Sequence, residues 1–275
     1  RPGISRADYS RAFAVVQEYI CAGDIYQANL TFPLSASYAG NPLALYAALR
    51  GRASAGYGGV VWTGQTHYLS FSPELFFALK NQRVTTKPMK GTAQRQADPQ
   101  KDAQVAERLR TDPKQRAENL MIVDLMRNDL SRVCEVGSIA VPELLVVESY
   151  ARVHQLVSTV TGQLLPGLDP LDVLTSAFPA GSMTGAPKRR AVELLNQWEG
   201  GPRGYYAGTY GVWRVDNSAT FAMTIRAVVA TPEGFSLGVG GGITALSDPA
   251  SEISEVGIKA QAFLEALGVD QVEYS

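Results

Sequence analysis

Groups of strand-forming segments alternate with helical segments along this chain, and this alternation restricts the possible folds more than any other feature. Strand patterns occur at residues 58–87, 144–164 and 205–243. Within each group only short turns separate the strands, so neighbouring strands can pair as antiparallel hairpins. We therefore predict an α+β fold with antiparallel sheets, in preference to a doubly wound parallel sheet.

Helical patterns lie between these groups. Residues 5–25 contain an amphipathic helical pattern with a glycine stop at Gly23. Residues 98–133 form a long helical pattern with a break at Asp112-Pro113. The sequence has no short repeat and no linker composition, so one domain over residues 1–275 is the simplest prediction. The stretch "TTKPMKGTAQRQ" follows a strand pattern, and we expect Lys90 to lie on a tight turn there.

Composition excludes several function classes. The 275 residues are 45% apolar and 19% charged, with a formal net charge of −1, so no overall field favours nucleic acid or an acidic membrane surface. No apolar run is long enough to span a bilayer. We expect a cytoplasmic chain in which Cys21 and Cys134 are reduced and buried, with a disulfide or zinc site disfavoured.

Carboxylates on apolar helical faces indicate a cation site. Glu118 shares a helical face with Ile122 and Asp129, while Glu252 and Glu255 lie one turn apart in the last helical segment. Each glutamate alone fits a helix start, where negative charge is favoured. Two helices with inward carboxylates instead favour Mg²⁺, which takes one or two protein carboxylates and keeps other positions for water or substrate.

Two glycine-rich segments are candidate anion sites. "AGSMTGAPK" precedes a helix and contains the Ser182 hydroxyl, and Gly240, Gly241 and Gly242 follow one another near a strand end. A strained turn explains either segment equally well. Neither matches a nucleotide-binding motif. Arg226 lies in an otherwise apolar strand pattern. Its guanidinium group could bind a carboxylate ligand, or the residue could occupy an exposed edge of the sheet.

These segments together resemble one known family, the chorismate-utilising enzymes. The resemblance covers nearly the whole chain and corresponds to the family's C-terminal chorismate-binding part, without its N-terminal region. It implies a layered α/β/β/α sandwich. The segments that carry the resemblance, in chain order, are "YQANLT", "FSPELFF", "PMKGTAQR", "AENLMIVDLMRNDLSRV", "VHQLVSTVTG", "FPAGSMTGAPKRRAVELL", "GTYGVW", "TIRAVV" and "GGGITALSDPASEISEVGIKA".

The residue at position 90 separates branches of this family. The anthranilate synthases have alanine there, whereas the aminodeoxychorismate synthases have lysine, and this chain has Lys90 in "PMKGT". Isochorismate and salicylate synthases carry a water-activating lysine where this chain has Gln27, which cannot act as a base. The resemblance therefore implies amination of chorismate at C4, with Lys90 as a covalent nucleophile at C2 and Glu74 as acid.

The resemblance also implies roles for further residues. Glu118 and Glu255 match Mg²⁺ ligands, with Glu252 close by, and His154 matches a histidine linked to pyruvate loss in anthranilate synthase. The substrate-binding set that it implies is Arg226, Tyr206, Ser182, Gly240, Gly241, Gly242, Lys259, His154 and Gln27.

Ammonia would come from a separate glutamine amidotransferase, because the chain shows no cysteine–histidine nucleophile. Two other functions are possible. One is that of anthranilate synthase component I, and the other is that of a non-catalytic chorismate-binding module. The presence of Glu74, Glu118 and Glu255 disfavours the module.

Overall fold

The computed structural model describes residues 1–53 and 56–266, apart from the side chains at positions 52, 53, 258, 259 and 262. The chain forms two compact units. Unit 1 contains Arg1–Pro73, Met183–Gly208 and the chain from Met223 onward, and unit 2 contains Glu74–Ser182 and Thr209–Ala222. The single domain proposed for residues 1–275 stays a prediction.

Unit 1 is built on an antiparallel sheet of six described strands in the order β2-β3-β12-β13-β1-β9. Its strands are β1 (Gln27–Ala36), β2 (Tyr57–Trp62), β3 (His67–Ser72), β9 (Gly185–Ala186), β12 (Ala227–Thr231) and β13 (Gly234–Thr244). Its helices are α1 (Arg6–Cys21), α2 (Pro42–Ala53), α7 (Lys188–Trp198) and α8 (Pro249–Ala266).

Helix α1 shows why these segments fold as they do. The Ser5 side chain accepts a hydrogen bond from the Asp8 backbone N–H and begins the helix, as serine does at N-caps. Phe13 and Val16 are buried in the core of unit 1, and Gly23, at a φ of 79°, lies just beyond the helix end. The predicted helix and its glycine stop are confirmed.

Unit 2 is built on an antiparallel sheet of seven described strands, in the order β10-β11-β4-β5-β8-β6 with β7 also paired to β8. Its strands are β4 (Leu75–Lys80), β5 (Arg83–Thr86), β6 (Met89–Gln94), β7 (Ala140–Ser149), β8 (Val153–Gln163), β10 (Thr209–Trp213) and β11 (Ala219–Met223). Its helices are α3 (Pro99–Thr111), α4 (Pro113–Ser131) and α5 (Pro170–Ala177). The short α6 (Gly181–Thr184) contains the last two residues of this stretch of unit 2 and the first two of the next stretch of unit 1.

The predicted break in the long helical segment is confirmed. Asp112 ends α3 and its side chain caps α4 by accepting from the Gln115 N–H, with Pro113 at the first position of α4. Asp98 caps α3 in the same way. Antiparallel sheets with helices packed on them confirm the α+β class.

Two strand-forming segments are each divided between the two sheets. The segment at 67–80 forms β3 and β4, with Pro73 and Glu74 between them, and the segment at 219–231 forms β11 and β12. Proline lacks the backbone N–H that a strand interior needs, which explains the first break. Among the described helices, none is long and apolar enough to cross a membrane.

Candidate functional site

Lys90 lies inside strand β6 and not on the tight turn that we predicted. The pairing of β6 with β8 shifts between Met89 and Thr92, so Lys90 and Gly91 occupy an irregular step of the strand. Gly91 has a φ of 86°, and a Cβ there would lie 2.9 Å from the Gln115 Oε1 atom. Such a bulge changes the direction of the side chains beside it.

Lys90 and Glu118 lie close together within unit 2. The Lys90 Nζ is 4.0 Å from Glu118 Oε2, and the Lys114 Nζ is 3.9 Å from Glu118 Oε1. The side chains of Lys90 and Glu118 are only 14% and 9% exposed. Two ammonium groups therefore share one buried carboxylate, and the predicted inward position of Glu118 is confirmed.

Lys114 was absent from the sequence prediction. It lies four residues before Glu118 on α4, which is the spacing at which helical side chains of opposite charge meet. This spacing could have identified Lys114. The closeness of Lys90 to Glu118 depends on the pairing of β6 with β8, so spacing along the sequence could not reveal it.

His154 is buried and both of its ring nitrogens have partners. Nε2 is 2.9 Å from Asp102 Oδ1 and Nδ1 is 2.8 Å from the Ser149 Oγ. Arg95 and the Gln96 backbone N–H also donate hydrogen bonds to Asp102. The hydrogen bonds from Arg95, and then the one from Gln96, lower the pKa of the Asp102 carboxyl. Asp102, Arg95 and Ser149 were not predicted from the sequence.

Glu74 and Ser182 are both buried in unit 2. Glu74 lies between β3 and β4, immediately before the first residue of β4. The segment predicted as a glycine-rich turn contains the single helical turn α6. A Cβ at Gly181 would lie 2.7 Å from the Leu125 Cδ1, so close packing against α4 explains this glycine.

In unit 1, the two glutamates of α8 differ in exposure. Glu252 is 2% exposed and lies on the buried face with Val256 and Phe263, while Glu255 is exposed. The prediction that both side chains point inward is therefore confirmed for Glu252 and wrong for Glu255. Glu255 follows Glu252 by three residues, slightly less than one full turn, and its side chain is exposed to solvent. The side chain of Lys259 lies outside the described part of the structure.

The Glu252 carboxylate is hydrogen-bonded and also packs closely against β13. Its Oε1 accepts a hydrogen bond of 2.6 Å from the Ser247 hydroxyl, and a Cβ at Gly241 would lie 2.9 Å from Oε2. Gly240 to Gly242 pair with β1 as ordinary extended strand, so they are not a strained turn. Close approach of a carboxylate is the physical reason for glycine at position 241.

Arg226 and Tyr206 occupy special positions in unit 1. Arg226 lies between β11 and β12 with a φ of 50°, and its carbonyl accepts from the Phe71 N–H, so the predicted strand position is wrong. A Cβ at Gly238 would lie 2.0 Å from the Tyr206 ring, so the ring packs directly on the strand backbone. Burial raises the pKa of the Tyr206 phenol.

Gln27 has a fully buried side chain at the start of β1. Among the described residues, neither its amide nitrogen nor its amide oxygen has a hydrogen-bond partner. A buried amide without partners costs free energy, and each such group in a folded protein requires an explanation. A polar ligand that bonds to this amide is one explanation.

The buried carboxylates supply the oxygen ligands that Mg²⁺ prefers. No group of three or more His, Cys, Asp or Glu side chains that could hold a metal occurs among the described residues. Glu118 in unit 2 and Glu252 in unit 1 each supply oxygen ligands from a buried position. Each of these carboxylates by itself is a ligand that suits a cation which completes its shell with water and substrate.

The chain resembles known proteins both in sequence and in structure. In sequence, the chain is 41% identical over 267 residues to aminodeoxychorismate synthase component 1 of Klebsiella aerogenes, covering 97% of this chain and 59% of that protein. It is 43% identical to aminodeoxychorismate synthase of Streptomyces griseus, covering 95% of this chain and 36% of that protein. It is also 40% identical to anthranilate synthase component 1 of Thermus thermophilus, covering 96% and 57%.

In structure, the chain is similar to anthranilate synthase component I from Streptococcus pneumoniae. The TM-score is 0.86 at 32% identity, covering 93% of this chain and 57% of that chain. The chain thus spans between about a third and three fifths of the length of these relatives. The family model described as chorismate binding enzyme matches residues 1–265. The chain therefore belongs to the chorismate binding enzyme family.

Proposed function

We propose that this chain aminates chorismate at C4 and forms 4-amino-4-deoxychorismate, on the route to para-aminobenzoate and folate in the cytoplasm. The observation that carries the proposal is Lys90, a primary amine that is largely buried beside the Glu118 carboxylate. Relatives named aminodeoxychorismate synthase, at 41 to 45% identity, support the same choice.

The reaction would proceed in two displacements. The Lys90 amine, once it has lost its proton, attacks C2 of the ring, and the ring double bonds shift as the C4 hydroxyl leaves. Glu74 is the acid that protonates the departing hydroxyl. Ammonia then attacks C4, the double bonds return, and the lysine amine leaves C2. The enolpyruvyl group stays on the ring throughout.

Other residues would bind and orient the substrate. The unpartnered amide of Gln27 would bond to a polar group of the substrate or to ammonia, and Arg226 and Tyr206 would hold the pyruvyl carboxylate. Gly240 to Gly242, Ser182 and Lys259 would complete this set. Glu118, Glu252 and Glu255 would hold Mg²⁺, which offsets the charge of the ring carboxylate when bound.

A second subunit would supply the ammonia. Two relatives of this chain are named component 1 of aminodeoxychorismate synthase, which supports a partner component, and we propose a glutamine amidotransferase in that role. Ammonium salt should replace this partner in a test of the chain alone.

The test is amination by the Lys90→Ala variant. The chain is incubated with chorismate, Mg²⁺ and an ammonium salt, and 4-amino-4-deoxychorismate is measured by chromatography. We expect product formation to fall steeply in Lys90→Ala and also in Lys90→Arg, because arginine keeps the positive charge but is always protonated and cannot attack. Lys101→Ala, an exposed lysine of α3, should leave the rate unchanged.

Two results would contradict the proposal. Equal turnover by Lys90→Ala and the unaltered chain would show that no covalent step passes through Lys90. Full activity of Lys90→Arg with loss in Lys90→Ala would show that the residue supplies only charge.

Anthranilate formation is the second candidate, because relatives named anthranilate synthase component 1 are 40% identical to this chain. The same incubation separates the two candidates. Anthranilate, together with released pyruvate, would replace the proposed product if this second function were correct.

A further inference from the structure

A linked set of four side chains in unit 2 runs from the partly exposed Arg95–Asp102 ion pair, through the buried His154, to an exposed hydroxyl. Arg95 donates to Asp102, Asp102 lies 2.9 Å from His154 Nε2, and His154 Nδ1 lies 2.8 Å from the Ser149 Oγ. The His154 side chain is only 3% exposed, whereas Ser149 is exposed. Solvent therefore reaches the Ser149 hydroxyl, while the imidazole beside it is shielded.

The strand pairing fixes this geometry. Ser149 ends β7 and lies directly opposite His154 near the start of β8, so their side chains lie on the same face of the sheet. The hairpin turn between them is closed by the bond from the Tyr150 N–H to the Val153 carbonyl. Asp102 reaches the same point from α3, where the Arg95 side chain holds it.

The partners determine where the hydrogen on His154 lies. Asp102 accepts hydrogen bonds from Arg95 and from the Gln96 N–H, which favour the ionised carboxylate. An ionised carboxylate can only accept, so the His154 Nε2 must carry a hydrogen and donate it. In the neutral ring, Nδ1 then has the lone pair and accepts the hydrogen of the Ser149 hydroxyl.

This arrangement is the one that activates a serine: an exposed hydroxyl bonded to an imidazole that a carboxylate orients. We propose that Ser149 is a nucleophilic hydroxyl, activated by His154 and Asp102, that takes an acyl or phosphonyl group from an activated electrophile. Nothing in the amination of chorismate requires this chemistry, so the inference does not depend on the proposed function.

The step balances without another reactant. The Ser149 Oγ bonds to the phosphorus of a fluorophosphonate, the phosphorus–fluorine bond breaks, and fluoride leaves. The hydroxyl proton passes to His154 Nδ1 and then to water. With an activated ester such as p-nitrophenyl acetate, the Oγ bonds to the carbonyl carbon and nitrophenolate leaves in the same way.

The experiment is labelling of the whole chain with a fluorophosphonate, followed by mass spectrometry of its peptides. Ser251 provides an internal control, because it is an exposed serine whose hydroxyl bonds to the Asp248 carboxylate at 2.9 Å without an imidazole. We expect Ser149 to be labelled roughly 10²-fold faster than Ser251, the size of a general-base contribution. The His154→Gln variant should lower Ser149 labelling to the Ser251 rate, and Asp102→Asn should also slow it.

The comparison of Ser149 with Ser251 is made within one unaltered molecule, so it is decisive even if a variant fails to fold. Equal labelling rates at the two serines would overturn the proposal. So would undiminished labelling of Ser149 in a folded His154→Gln chain, since the hydroxyl would then react without its base.

Discussion

At the scale of single residues, Gln27 presents the clearest energetic conflict. Its side chain is fully buried, and neither amide atom has a partner among the described residues. Asn29, two residues along the same strand and therefore on the same face, has an amide that donates to the Met183 carbonyl at 3.3 Å. The strand thus satisfies one buried amide, while the other has no hydrogen-bond partner among the described residues.

Replacing Gln27 with leucine should raise stability and remove activity. The apolar side chain avoids the desolvation cost of an unpaired amide, so we expect the free energy of unfolding to rise by about 1–3 kcal/mol. Amination of chorismate should fall, because the polar ligand loses its partner. Urea denaturation and the ammonium-dependent assay measure the two effects.

Asn29→Leu is the matched control for this prediction. It removes an amide that is already hydrogen-bonded and leaves the Met183 carbonyl without that donor, so it should lower stability. A Gln27→Leu chain that is less stable than the unaltered chain would contradict the ligand interpretation of Gln27.

At the scale of elements, a buried ion pair joins the end of α7 to β1. Glu199 accepts from both the backbone N–H and the hydroxyl of Thr31, each at 2.9 Å, and Arg203 donates to Glu199 and to the Asn29 carbonyl. The Glu199 side chain is 7% exposed. This pair fixes the segment that leads to Tyr206, so it positions a predicted substrate-binding residue.

Arg203→Met should destabilise unit 1 strongly. Removing one partner leaves the Glu199 charge buried without its cation, a change that typically costs about 3–5 kcal/mol. Thermal and urea unfolding would measure the loss. Arg189→Met supplies the comparison, because Arg189 pairs with Glu193 on the same helix but is 94% exposed, and such pairs contribute roughly 0.3–0.5 kcal/mol. Losses of similar size in the two variants would show that the Glu199–Arg203 pair is not structural.

At the scale of the whole molecule, each unit contains one cysteine in a different environment. Cys21, at the end of α1 in unit 1, is exposed, which corrects the prediction that both cysteines are buried. Cys134 in unit 2 is buried, and burial raises the pKa of its thiol to about 11. The thiolate is the reactive form, so both burial and protonation protect Cys134.

Thiol labelling should therefore report on unit 2 separately. At neutral pH without denaturant, iodoacetamide should modify Cys21 and leave Cys134 unmodified. With increasing urea, Cys134 should become reactive as unit 2 opens, and the Cys21→Ser variant allows this step to be measured alone. Equal rates of modification of the two cysteines in the folded chain would contradict the burial of Cys134.

Some of the buried polar residues were selected from the sequence, and those that were missed have a common cause. Glu118, Glu74 and Ser182 were selected and are buried in unit 2, while their roles stay a prediction. Asp102 and Ser149 were missed because they meet His154 only through the fold. Asp102 is 52 residues from His154 in the sequence, and no periodicity relates residues so far apart.

The sequence by itself determined the class of fold, the helix ends and the family, because caps, prolines and hydrophobic periods act between residues a few positions apart. Asp112 and Pro113 separate α3 from α4 for this reason. Only the tertiary structure decided that β3 and β4 join different sheets, that Glu252 and not Glu255 is buried, and that Lys90 lies beside Glu118. Strand partners and side-chain burial depend on packing between distant segments, and local propensity does not specify which segments meet.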